Sequence, residues 1–233
     1  MTKIPHDLAA LIDALKSTQQ SLPMVPRWKK YLEQGPGVRA QNTLQHSHAL
    51  TLIGTIAIQR MGLDGEVDAG FLLGALAIHD VGEGELGYDT LYIDKDASQD
   101  LKEYLAFEHR YESVPEFAHL QELFLLQFAL KNPVNFPDDA RSVMMKLAEH
   151  YRLEALVFEA LERWDYLLFA LEQYVDRENE LVLTQVLRHQ VPHFERLLVE
   201  LPSLDQLWTP ELAAFAQRFL VKRVGKWIEQ KGE

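Results

Sequence analysis

The sequence predicts an all-α protein, and three observations carry that reading. Apolar residues recur at three- and four-residue intervals along most of the 233 positions. No convincing run alternates apolar and polar residues as a half-buried strand does. Asn132–Pro133, Phe136–Pro137, Pro202 and Thr209–Pro210 supply breaks between the periodic segments.

A first helix is expected over 6–17, with Leu8, Leu11, Ile12 and Leu15 as its apolar face. Residues 19–43 carry Pro23, Pro26, Gly35, Pro36 and Gly37 and read as a long irregular segment, a kind more often functional than decorative. Helices follow over 44–61 and 66–80, with Gly62 closing the first and Asp64 and Val67 leading into the second. A Gly-rich acidic stretch, HDVGEGELGYDTLYIDKD, comes next. Further helices are expected over 97–112, 115–130, 138–150, 152–175, 179–200 and 210–230. With no repeat, linker or low-complexity stretch, residues 1–233 read as one domain of eight or nine helices.

Composition removes several function classes. Cysteine is absent, which excludes disulfides, thiolate zinc sites, iron–sulfur clusters and cysteine nucleophiles, so any metal falls to His, Asp and Glu. No apolar run approaches the roughly 20 residues of a membrane span. The opening MTKIPHDLAALIDALK has neither a continuous apolar region nor a small-residue cleavage site. A cytoplasmic protein with no membrane partner is the expectation. With 23 Lys and Arg against 35 Asp and Glu the net charge is −12, a surface that repels polyanions, so nucleic acid is not expected as a partner.

The informative positions are polar residues inside apolar stripes, because burying such a group unpaired costs several kcal/mol. Over 44–61, His46 shares a face with Leu50, Ile53 and Ala57, whereas His48 falls with Thr51, Thr55 and Gln59. Over 66–80, Leu72, Ala75, Leu76 and His79 line the inner face, and Asp80 follows directly. Over 152–175 the stripe runs Phe158, Leu161, Asp165, Leu168, Phe169 and Glu172, so Asp165 stands where a leucine belongs. A lone inward His is ordinarily a hydrogen-bonded core residue, and a lone buried Asp an Arg-paired or capping one. Together, two imidazoles and two carboxylates would satisfy one another around a divalent cation. Spacing alone leaves both readings open.

The pattern His46, His79–Asp80 and Asp165 resembles the HD-domain metal-dependent phosphohydrolases, an all-helical superfamily. Within it the chain is most similar to the bacterial 5′-deoxynucleotidase group. Arg27–Trp28 stands upstream, RAQNTLQHS runs from Arg39 to Ser47, and HDVGE runs from His79 to Glu83. The match covers roughly residues 25–175. The chain differs in a longer loop before His46, in Gly87-Tyr88-Asp89 for a Gly–Asp pair, and in Gln45 for an acidic residue. The usual proline-and-lysine segment is unrecognisable, with Lys95 as its substitute.

The resemblance implies one divalent ion (Mn, Co, Ni, Fe, Zn or Mg) held by His46, His79, Asp80 and Asp165. It implies Glu83, with Asp80, in the catalytic role, Arg27 on the phosphate, Trp28 walling the sugar and Asp89 on a sugar hydroxyl. The implied activity is hydrolysis of a small phosphorylated substrate, a nucleotide-like phosphomonoester. Alternatives are another HD phosphohydrolase, acting as phosphodiesterase or nucleotide pyrophosphohydrolase, or a non-catalytic regulatory protein on that scaffold. His109 and His150 fall where dinuclear relatives place ligands for a second ion but follow no motif, as do His119, His189 and His193. The helices from about 179 onward carry no motif and are assigned to packing or to a homodimer contact.

Overall fold

In the computed structural model, which describes residues 5–29, 31, 38–91 and 94–231, the chain is an all-α protein. Residues 1–4, at the amino terminus read above, and Gly35, Pro36 and Gly37 of the irregular segment lie outside the described residues. The helices are α1 (His6–Ser21), α2 (Thr43–Arg60), α3 (Ala69–Ile78), α4 (Val81–Leu86) and α5 (Ala97–Tyr111). They continue with α6 (Phe117–Leu125), α7 (Asp138–His150), α8 (Arg152–Arg177), α9 (Glu180–Glu200) and α10 (Pro210–Lys231). Buried apolar residues from α1 through α10 join in one cluster. Among the described residues no helix is long and apolar enough to cross a membrane.

Several elements differ from the periodicity in ways that matter for the site. The first helix buries Ala14, while Leu8, Ile12 and Leu15 of its expected apolar face stay about half exposed. After it, β1 (Pro26–Arg27) pairs antiparallel with β2 (Gln41–Asn42), Pro26 opposite Asn42 and Arg27 opposite Gln41. Two-residue strands are too short to show alternation, yet this pair ties Arg27 to the entrance of α2. The Thr43 amide donates to Val25 O (3.0 Å) and reinforces that tie.

The helix expected over 66–80 starts three residues later, because the Asp68 side chain caps it by accepting from Phe71 N. It ends at Ile78. The Gly-rich stretch after it contains a helix of its own, α4, which closes at Gly87 with φ 78°, a left-handed conformation that favours glycine. Gly82 inside α4 is required by a close approach: a Cβ there would lie 2.3 Å from the Glu103 carbonyl oxygen of α5. Glycine at 82 therefore lets α4 lie directly on α5, which brings Glu83 against that helix.

The long α8 runs through the core. It buries Phe158, Leu161, Leu167 and Phe169 on its apolar side, and Trp164 meets Phe194 of α9 edge-on at 6.3 Å. Arg27 of β1, His46 of α2 and His79 at the end of α3 reach one stretch of it, at Tyr166, Asp165 and Glu162, and the polar residues collect there.

Candidate metal centre

Each side chain of the centre is aimed by a local backbone feature. Helix α2 opens with a capping box, in which Asn42 Oδ1 accepts from Gln45 N (2.9 Å) and Gln45 Oε1 accepts from Asn42 N (3.1 Å). Gln45 is thus committed to the cap, and His46 follows it facing inward, fully buried. His79 is the C-cap of α3 and Asp80 the N-cap of α4, so the break between the two helices turns both side chains toward the same point. Arg39, which opens the RAQNTLQHS segment, is docked on α8 through a two-pronged pair with Glu172 (2.6 and 2.9 Å). His48 is exposed, as its stripe position predicts.

The geometry fixes which imidazole nitrogens carry hydrogen. His46 Nδ1 lies 2.8 Å from Asp165 Oδ2, and His79 Nδ1 lies 2.9 Å from the Leu76 carbonyl oxygen. Both partners only accept, so both Nδ1 atoms donate, and each neutral ring presents a lone pair at Nε2. The two Nε2 atoms face each other at 3.3 Å. Glu162 Oε1 lies 3.2 Å from His46 Nε2 and 2.9 Å from His79 Nε2. Asp80 adds Oδ1 at 3.0 Å from His79 Nε2 and Oδ2 at 3.6 Å from His46 Nε2. Four acceptor groups thus point at one buried spot, an arrangement that calls for a cation. His46, His79 and Glu162 form a buried group that can hold a metal ion, all their ligand atoms lying within 4.8 Å of one another.

Without a metal, the surroundings draw both imidazoles toward protonation. Burial and Arg27 work against protonation of His46, but Asp165 and Glu162 outweigh them and raise its pKa. Burial likewise opposes a charged His79, and Asp80 and Glu162 raise its pKa well above the ordinary imidazole range. Against burial, which pushes carboxylates up, His79 and Arg27 hold Asp80 far below its usual range, and the two imidazoles do the same to Glu162.

The expected fourth ligand is placed differently. Asp165 is buried, but it meets the Nδ1 side of His46, away from the converging Nε2 atoms, where it can orient the ring. Glu162 takes the position beside both Nε2 atoms, and its other oxygen accepts from Tyr166 Oη (2.7 Å). Glu162 is not among the stripe residues read from the sequence, although it lies four residues from Phe158 and three from Asp165. It sits beside Arg163 in a charged run, Glu162-Arg163, that resembles a solvated face.

The other expected site residues cluster around this centre. Arg27 Nη1 donates to Asp80 Oδ2 (3.0 Å) and lies 3.9 Å from Glu83 Oε2. Its Nε, buried, has no hydrogen-bond partner among the described residues. Burial opposes its charge, but Asp89, Asp80 and Glu83 raise its pKa further. Trp28 is buried with φ 62°, costly for a bulky residue, and is held by stacking on Phe169 at 4.3 Å and by donating Nε1 to Gln41 Oε1 (3.0 Å). Asp89 shares with Arg27, Trp28, Leu91 and Tyr166 a crevice of only about 10 Å³.

Glu83 is buried, and Lys95 Nζ lies 3.4 Å from its Oε1 while pairing with Glu103 Oε2 at 2.7 Å. Burial first, then Asp80 and Asp89, push the Glu83 carboxyl well above its usual range, with Lys95 pulling the other way. Its Oε2 has no hydrogen-bond partner among the described residues. Sequence reasoning missed Glu103 and Tyr166, whose roles arise from contacts between distant segments. His109, His119 and His150 are exposed. His189 and His193 lie instead with Glu162, Tyr166 and Lys95 around a cavity of about 350 Å³.

Compared with family models, curated proteins and solved structures, the chain matches none of them.

Proposed function

We propose that this chain is a metal-dependent phosphohydrolase of the HD-domain type, acting on a small nucleotide-like phosphomonoester. The observation that carries the reading is the pair of Nε2 lone pairs held face to face, 3.3 Å apart, with Glu162 and Asp80 closing on the same spot. The donor set fits a divalent ion of the Mn, Fe, Co, Ni, Zn group, all of which accept imidazole and carboxylate together. The ligands are His46, His79, Asp80 and Glu162, and Asp165 orients the His46 ring.

A bound divalent ion would supply Lewis acidity to phosphoryl oxygens and lower the pKa of water from about 15.7 toward about 7. The chain's own groups do the rest. Arg27 offers its unpartnered Nε to a phosphoryl oxygen beside Asp80, a charge-assisted contact its burial strengthens. Glu83, whose carboxyl is pushed toward the protonated form by its buried and anionic surroundings, is placed to give a proton to the departing alkoxide oxygen. Lys95, anchored on Glu103, holds Glu83 in place from the other side. Asp89 faces Arg27 across the narrow crevice, where a ligand hydroxyl would have to enter by widening it.

The test has two parts. Elemental analysis of the purified protein should give one divalent ion per chain, lost in His79→Ala. A hydrolysis screen across nucleoside mono-, di- and cyclic phosphates should give metal-dependent release of phosphate from monophosphates first. Turnover of cyclic or diphosphate substrates alone moves the chain to the phosphodiesterase or pyrophosphohydrolase alternatives. A bound metal with no turnover on any of them leaves a regulatory protein.

A further inference from the structure

The cavity beside Glu162 has a second chemistry. Lys131, from the segment after α6, Arg163 on α8, and His189 and His193 on α9 line it. In a chain of net charge −12 such a collection is a local exception. Its cations are anchored from behind and keep donors in reserve. Lys131 Nζ rests on both oxygens of Asp100 (3.0 and 2.8 Å), which uses two of its three hydrogens. Arg163 spends Nε and one Nη2 hydrogen on Glu159 (3.1 and 2.7 Å) and one Nη1 hydrogen on Gln190 (3.0 Å), leaving two hydrogens.

The two carboxylates lining the same cavity are both engaged. Glu162 is turned to the histidines, and Glu159 is shared between Arg163 and Arg196. The imidazoles sense the result. His189 and His193, four residues apart with ring centroids at 5.3 Å, are both held neutral, first by partial burial and next by Arg163. Phe158 and Tyr166 add an aromatic part to the wall. At about 350 Å³ the space is that of a ligand pocket and far exceeds a lone phosphoryl group.

We propose that Lys131, Arg163 and His193 in the lining of this cavity bind an anionic group, so that the substrate carries a second phosphate or carboxylate besides the phosphoryl it loses. The anion site stands on its own residues; the word substrate rests on the phosphohydrolase reading. Lys131 and Arg163 supply the charge, the neutral imidazoles donate or accept around it, and Phe158 and Tyr166 hold the apolar part of the molecule.

Two measurements test it separately. In metal-stripped protein, inorganic phosphate is titrated while the imidazole proton resonances are followed. The His193 signals should move and its pKa should rise as the anion fills the site. Lys131→Gln, at a side chain nearly half exposed, should weaken phosphate binding roughly 10- to 150-fold, the span for losing a charge-assisted hydrogen bond. Arg163→Gln should do the same, with Lys131→Gln as the safeguard if that variant fails to fold. Unmoved His193 resonances, or affinity unchanged in Lys131→Gln, overturn the anion site.

In the metal-loaded protein, kcat/KM is compared for phenyl phosphate, a sugar bisphosphate and a phosphorylated hydroxy acid. The last two should exceed the first, and Lys131→Gln should remove that advantage. Which of the two leads identifies the second anion as phosphate or carboxylate. Equal rates on all three, or an equal loss in Lys131→Gln, overturn the assignment of a bis-anionic substrate. If none is hydrolysed while phosphate still moves His193, the hydrolase reading fails and the anion site remains.

Discussion

Two pairs of histidines lie on either side of Glu162 and Arg163, which are neighbours on α8, and their surroundings act on them in opposite directions. Around His46 and His79 the outward-facing groups are carboxylates, so the imidazoles are drawn toward protonation in spite of burial. Around His189 and His193 burial and Arg163 act together, and His193 is pushed down to about 4. One residue type thus reports a centre short of positive charge and, beside it, a wall where burial first and Arg163 next oppose a proton. A divalent cation would answer the first and an anion the second, and a phosphorylated substrate would lie between them.

The largest expected effect breaks the first pair. Glu162→Ala removes the carboxylate that touches both Nε2 atoms, so one-to-one metal binding and metal-dependent hydrolysis should both fall to background. The fold should persist, because α8 keeps its buried apolar side. Metal analysis, circular dichroism and a phosphate-release assay on the same sample check this. Metal retained in Glu162→Ala but lost in Asp165→Ala would return Asp165 to the ligand set.

Next in size is Glu83→Gln. The amide cannot donate a proton to a leaving oxygen, so kcat should fall about 10²- to 10⁴-fold with the metal still bound. Full activity in that variant would move the proton transfer to another group. Asp165→Asn should be milder, lowering metal affinity by about 10- to 100-fold, as losing the group that orients a ligand histidine ordinarily does. Competition with a chelator reads the affinity, and metal bound as tightly in Asp165→Asn as in the parent would make Asp165 a packing residue.

Part of this centre was legible from the residues and part was not. His46, His79 and Asp80 stood out because a helical stripe has a fixed period and any polar residue on its apolar side must find a partner. Arg27 was singled out by its place beside Trp28, and it does reach Asp80. Glu162 was hidden by an adjacent arginine, since a Glu–Arg pair on a helix is the signature of a solvated face. Lys95 on Glu103 and Tyr166 on Glu162 are long-range or cross-helix meetings that no local period encodes. The fold divides in the same way. The long helices follow from their stripes, whereas α4 came from a Gly-rich stretch because Gly82 and Gly87 serve a close approach and a left-handed cap inside it. The exposed Leu8, Ile12 and Leu15 show the reverse case, an apolar stripe that lies largely outside the core.

The smallest expected effect sharpens the second pair. His193 is faced by Arg163 and Arg196, by the neighbouring His189, and by Glu159 with the opposite sign. Its folded pKa of about 4 lies below the roughly 6.5 of an unfolded chain. Between those values the unfolded state binds a proton that the folded state refuses, so the contribution of His193 to stability is intact above about pH 6.5 and is lost as pH falls toward 4. The urea midpoint of the parent should therefore drop more between pH 7 and pH 5 than that of His193→Gln, by a modest margin because the ring is partly solvated. Saturating phosphate should shrink the difference, since an anion beside Arg163 raises the imidazole pKa toward its unfolded value. Identical pH slopes in parent and variant would mean that the wall around His193 carries no unbalanced positive field, and the contrast between the two pairs would reduce to burial alone.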